Sequence, residues 1–108
     1  AVYVARWTAL HVRRLTESIK KALQKEGFSF VEVVSPCPEI FGRYNKMETS
    51  IKMMQWFKEV SEVRHFSDPA KADITPQKIV VGEFVDTEKP SYSQLLKEMT
   101  AKVQTQAQ

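Results

Sequence analysis

Among the residues able to do chemistry, one has an unusual setting. Cys37 is the single cysteine of a 108-residue chain, and it stands between Pro36 and Pro38. Two prolines restrict the backbone and remove two N–H donors, so they hold the sulfur in one orientation. A thiolate in that position can ligate a metal, attack a substrate or sense redox state. The alternative is a small buried hydrophobe with no chemistry. One cysteine excludes an internal disulfide, a zinc ribbon and a complete iron–sulfur site made by this chain alone. Attack by the thiolate needs a base, and neither histidine, His11 or His65, has an evident acidic orienter. Three glycines (Gly27, Gly42, Gly82) with no GxGxxG and no P-loop argue against a phosphate cradle. Glu39 is the one carboxylate beside the Pro-Cys-Pro turn, and solvation accounts for it. Arg43-Tyr44-Asn45-Lys46 is a short basic and aromatic loop that can clamp an anion or stack a base, or simply anchor itself by hydrogen bonds.

The elements that must position Cys37 come from the hydropathy pattern. Val2–Ala5 reads as a short buried strand, and Thr8 is placed to cap a helix over about residues 9–26. Val12, Leu15, Ile19, Ala22 and Leu23 recur at helical spacing, and Gly27 supplies the stop. Phe28–Val34 is β-branched and aromatic with one charge, Glu32, and reads as a largely buried strand. Strand, helix and strand with short joins predict a parallel βαβ unit with a right-handed crossover. Cys37 then falls just past the C-terminal end of a parallel strand, the edge where open α/β sheets bind ligands.

Residues 39–46 read as irregular. A second helix is predicted over about 47–64, with Met47, Ile51, Met54, Phe57, Val60 and Val63 as its stripe. Residues 67–77 read as a loop, and 78–85 as a third strand in which Gly82 marks a bulge or a close backbone approach. Pro90 and Ser91 start a last helix with Tyr92, Leu95, Leu96, Met99 and Val103 as its inner face, before a frayed tail at 104–108. Trp7 and Trp56 are candidates for exposed or interface positions. The Met47, Met53, Met54, Trp56 and Phe57 cluster reads as core or subunit interface. The fold class is therefore α/β: an open, three-layer-type sheet with a parallel βαβ start, three strands and three helices, in one domain spanning residues 1–108.

Composition sets the outer bounds. Hydrophobic residues are 43% and charged residues 27%, as in an ordinary globular domain. A chain of this length buries roughly two-thirds of its unfolded surface. No apolar run approaches the roughly 20 residues of a membrane span, and no signal peptide is evident, so the expected compartment is the cytoplasm. Sixteen Lys+Arg against 13 Asp+Glu give a net charge of +3, concentrated in the first half of the chain. That half suits solvated helix faces, or a self-contained nucleic-acid- or protein-binding module using Arg13, Arg14, Lys20, Lys21 and Arg43. The chain opens without Met inside an apolar run, which reads as a piece of something longer.

From Tyr3 to Lys46 the order is YVARW, a basic helix, then KEGFSFVEVVSPCPEIFGRYNK. This order resembles the C-terminal part of the thiamine-diphosphate-binding β subunit of 2-oxoacid:ferredoxin oxidoreductases. The Phe41-Gly42-Arg43-Tyr44-Asn45-Lys46 continuation is more similar to the 2-oxoglutarate branch (2-oxoglutarate synthase) than to the pyruvate branch. The later VGEFVD strand and the last short helix also resemble that subunit's end. The resemblance implies oxidative decarboxylation of a 2-oxoacid to an acyl-CoA, with thiamine diphosphate and Mg²⁺ as cofactors. It also implies a 4Fe-4S cluster that passes the electrons to ferredoxin. By the same resemblance, the cysteine of the Ser-Pro-Cys segment is the last of four cluster ligands, which maps onto Cys37. The other three cysteines and the Gly-Asp-Gly…Asn motif for Mg²⁺ and diphosphate are absent here, so no thiamine or magnesium ligand is carried over. The implied partners are the rest of the β subunit, the α subunit, ferredoxin, coenzyme A and the 2-oxoacid. The fragment alone is expected to be inactive and to expose an apolar patch where its neighbours belong.

Overall fold

The computed structural model describes all 108 residues. Tyr3–Thr8 forms β1, longer than expected because its alternation continues: Tyr3, Ala5 and Trp7 are buried on one face, and Val4 and Arg6 lie on the other. Trp7, a candidate for an exposed or interface position, is thus in the core. Its indole Nε1–H donates to Ser18 Oγ at 2.7 Å, which satisfies the one polar atom that wanted a wet edge.

Val12–Gln24 forms α1, starting later than the sequence suggests. Thr8 ends β1 instead of capping the helix. Its Oγ1 accepts from the Leu10 N–H (3.3 Å) and is hydrogen-bonded to His11 Nδ1 (2.8 Å), so it holds the turn between the two elements. Leu15, Ser18 and Ala22 face the sheet, while Val12, Ile19 and Leu23 of the expected stripe are exposed. The buried face is rotated because it centres on the Ser18–Trp7 hydrogen bond.

Ser29–Val34 forms β2, parallel to β1 in register from Tyr3↔Ser29 to Thr8↔Val34, as the βαβ pattern predicts. It is an edge strand, however, and Phe30 and Val33 are exposed rather than buried. Pro38–Gly42 makes a π-helical turn in the stretch read as irregular. Helix α2 covers Ser50–Val60, with Thr49 Oγ1 accepting the Lys52 N–H at its start. It is shorter than 47–64: Met47 precedes it, and Ser61–Val63 leaves it to form β3. Met53 and Phe57 are buried, whereas Ile51 is exposed. The expected loop contains a 3₁₀ turn (Pro69–Lys71) and a two-residue strand, β4 (Ile74–Thr75).

Strand β5, Lys78–Asp86, joins the pieces. The sheet order is β2-β1-β5-β3, with β3 parallel and β1 antiparallel to β5, and β4 pairs antiparallel with the start of β5. Val4 pairs with Val85 but Ala5 with Glu83, so Phe84 is an extra residue on β5 and the strand bulges there. Gly82 beside it has φ +147°, and a Cβ would stand 2.6 Å from the Arg64 carbonyl oxygen; this is the close approach anticipated at that glycine.

Both α1 and α2 pack on the face of Tyr3, Ala5, Trp7, Ile79 and Val81. On the opposite face, Val80 and Phe84 pack with Ala72. Arg6 pins that segment by donating to the Ala72 carbonyl oxygen (2.7 Å) and to the Glu32 carboxylate (2.6 Å). The open α/β sheet with a parallel βαβ start and three α-helices stands as expected, with five strands in place of three. These residues supply helices to one face only.

Helix α3, Tyr92–Gln106, opens with a capping box formed by Ser91 and Gln94, and it continues through most of the tail expected to fray. Its expected inner face is not covered: Tyr92, Leu95, Leu96, Met99 and Val103 are 42–78% exposed. The helix runs away from the sheet, and the molecule measures 70 × 25 × 24 Å.

Candidate functional site

Cys37 lies where the parallel βαβ unit delivers it, three residues beyond the end of β2 and at the N-cap of the π-helical turn. Pro38 occupies the first position of that turn, where its missing N–H costs nothing. The backbone N–H groups of Ile40 and then Phe41, aided by that of Glu39, hold the thiol pKa below its usual value, while burial and then the Glu39 carboxylate oppose them. The turn is held shut by the Gly42 N–H donating to the Cys37 carbonyl (2.9 Å) and the Met47 N–H donating to the Gly42 carbonyl (2.6 Å). A Cβ on Gly42 would stand 2.2 Å from the Met47 carbonyl oxygen, so no other residue fits.

The thiol is exposed and sits at the rim of a cavity of about 390 Å³. Val34, Phe41, Met53, Trp56, Phe57 and Ile79 supply most of its apolar wall. Trp56 stacks between Phe41 (5.5 Å) and Phe57 (5.3 Å), and its Nε1–H donates to the Pro76 carbonyl at 3.0 Å. The methionine and tryptophan cluster is therefore partly core and partly the wall behind Cys37. A thiol whose charged form is favoured by amides, beside a dry wall, is suited to bind a soft metal. No group of three or more His, Cys, Asp or Glu side chains in the chain could hold a metal ion. Cys37 can thus be one ligand of a metal group and not its whole cage.

The other candidates are placed elsewhere. His11 and His65 both pack against Trp7, with ring centroids 5.6 and 5.9 Å away, and neither lines the Cys37 cavity. Burial first, and then the Arg14 charge, lower the His11 pKa. The thiol therefore has no base in its cavity. Arg43 pairs with Glu39 at 3.4 Å, and Asn45 Nδ2 donates to the Phe41 carbonyl (2.8 Å). These two contacts hold the loop to the π-helical turn, while Tyr44 is exposed. Of the remaining basic residues, Lys20 pairs with Glu17, Lys21 with Glu83, and Arg14 lies over the Trp7 ring. Sequence reasoning missed the amides around Cys37, although Pro38 and Glu39 directly after it were a legible helix-start signal.

The structure is thus an open α/β sheet whose parallel βαβ unit ends in Ser-Pro-Cys-Pro. Over nearly all of its length the chain is similar to the C-terminal part of proteins named 2-oxoglutarate synthase subunit KorB. It is 42% identical over 107 residues to the 2-oxoglutarate synthase subunit KorB of Methanocaldococcus jannaschii, a match spanning 98% of this chain and 39% of that protein. It is 46% identical over 90 residues to the subunit of the same name from Methanothermobacter marburgensis, spanning 83% of this chain and 32% of that protein. The Methanothermobacter thermautotrophicus subunit matches to the same extent. The chain thus spans 39% or less of the length of these curated relatives. No protein-family profile and no solved structure matches it. No helix is long and apolar enough to cross a membrane.

Proposed function

We propose that this chain is the C-terminal portion of the β subunit of a cytoplasmic 2-oxoglutarate:ferredoxin oxidoreductase, and that Cys37 is one thiolate ligand of its 4Fe-4S cluster. The intact enzyme would oxidatively decarboxylate the 2-oxoacid to an acyl-CoA and pass electrons to ferredoxin, together with the rest of the β subunit and an α subunit. The observation that carries this reading is the setting of Cys37: an exposed thiol at the sheet edge, with backbone amides favouring its charged form, in a chain 42% identical to a KorB subunit. A cluster ligand must be deprotonated, and amide hydrogen bonds to a ligating sulfur also tune the cluster's potential.

When bound, the cluster supplies electron transfer. This chain's share is to orient one sulfur between two prolines and to shield one side of it with Phe41 and Trp56. Residues 1–108 form one α/β unit of the larger thiamine-diphosphate-binding subunit. They lack the Gly-Asp-Gly…Asn segment, so we assign no residue to Mg²⁺ or to thiamine diphosphate. One thiolate does not hold a cubane cluster, and the separate chain is inactive on this reading.

The test is Cys37→Ser in the intact enzyme. Iron content and ferredoxin reduction should fall sharply while circular dichroism and the melting temperature stay close to those of the parent. Unchanged iron and unchanged activity would reject the ligand role.

A further inference from the structure

We infer that α3 is a clasp whose apolar stripe closes on the upstream part of its own polypeptide. The inference rests on the reading of these residues as the C-terminal part of a longer subunit. It concerns which surface α3 covers, a separate question.

The stripe is Tyr92, Leu95, Leu96, Met99 and Val103, all of them exposed. A lone 15-residue helix is only marginally stable in water, so an apolar stripe of this length gains most from a partner surface. Yet its base is fixed. The capping box closes its first turn, Gln94 Nε2 donates to the Glu26 carboxylate at 2.8 Å, and Lys25 bridges Asp86 (2.8 Å) and Glu88 just before it. A helix anchored at its root and bare along its length is aimed at something.

The position of the root identifies the occupant. Tyr3 pairs with Asp86, and the Thr87 N–H donates to the Val2 carbonyl at 2.8 Å. The residues that lead into α3 therefore lie against the first residues of the chain. The match covers only 39% of the M. jannaschii subunit, at its C-terminal end, so most of that protein's length would enter at Ala1, beside the root of α3. Phe28, whose carbonyl accepts the Val2 N–H at 2.8 Å, is also exposed at this end. Two surfaces of one chain joined at neighbouring points meet at an effective concentration on the order of millimolar, well above that of a separate subunit in dilute solution.

The test uses the full-length subunit, encoded by the reading frame continuous with Ala1 and purified without other subunits. Amide hydrogen exchange of residues 92–106 is followed by mass spectrometry. The parent should exchange about tenfold to a hundredfold more slowly there than the Leu96→Asp/Met99→Asp variant, with β1 and β5 equally protected in both. Met99→Leu should behave as the parent. Protection that appears only when the partner subunit is added assigns α3 to that interface and overturns the clasp. Protection that grows with protein concentration assigns it to a second copy and overturns it equally. A frame that begins at Ala1 removes the fragment reading, whereas a longer frame with an unprotected α3 removes the clasp alone.

Discussion

At the end of the sheet where β1 and β2 finish, Met53 and Phe57 are buried, Trp56 is wedged between two rings, and the chain beyond Cys37 is folded into a tight turn. At the opposite end, where the chain enters at Ala1 and leaves through Thr87, a helix stands out with five apolar side chains in solvent. Both ends carry apolar residues at helical spacing. They differ in how much of the cover lies within these 108 residues. The Cys37 end has a covered core because α2, β4 and β5 converge on it, although Ile40, Ile51 and Ile74 remain exposed around it. The α3 end is built as half of an interface. A hydrophobic stripe thus states that a face needs cover, and only tertiary structure states whether the cover is at hand.

The contrast can be broken from either side. The largest effect is expected from Phe57→Ala at the Cys37 end, which should cost about 3–5 kcal/mol in urea unfolding because the site is fully buried. A loss under about 1 kcal/mol would mean that this end is as loose as the other. Next is alkaline pH. Tyr3, buried at the α3 end, has its pKa raised from 10.0 to about 12, first by burial, with added contributions from Glu83 and Asp86. A raised folded pKa favours the protonated form, so this stability is complete below pH 10. It should be lost as pH rises from 10 to about 12, by about 2–3 kcal/mol, and Tyr3→Phe should flatten that loss.

Ser91→Ala removes the α3 cap and should lower helicity by circular dichroism, with about 1 kcal/mol lost from the helix and no shift in the unfolding midpoint of the sheet. The smallest effect is Met99→Ala in this chain, within about 0.5 kcal/mol by the same urea titration. A larger cost would show that α3 already packs on the body. Cys37 sharpens the comparison chemically: its alkylation rate should reach half-maximum at a lower pH than that of a free cysteine in a peptide, because the amides of Ile40 and Phe41 favour the thiolate.

How much of this was legible in the sequence depended on the range of the interactions. The βαβ unit was, because strand and helix periodicities sit within single segments. The place of Cys37 followed from it, since the end of β2 and two prolines leave the sulfur little choice. The short strands β3 and β4 were not legible: three and two residues carry no pattern, and they are strands only because β5 pairs with them. The burial of Trp7 was available in the alternation Tyr3, Ala5, Trp7 but was hidden by the habit of giving indole a wet edge. The phase of α1 turned on Ser18, a polar residue whose burial is explained only by Trp7 across the interface.

The pairing of β1 with β5 has a consequence for how the molecule is made. Tyr3 and Asp86 are neighbours in space but stand near opposite ends of the chain. During synthesis the βαβ unit is complete once Val34 has emerged, yet β1 keeps a bare flank until residues 78–86 follow. For that interval the growing chain presents an unpaired strand edge, the kind of surface that recruits foreign strands. Among these five strands, the first to be made acquires its second neighbour only when β5 follows.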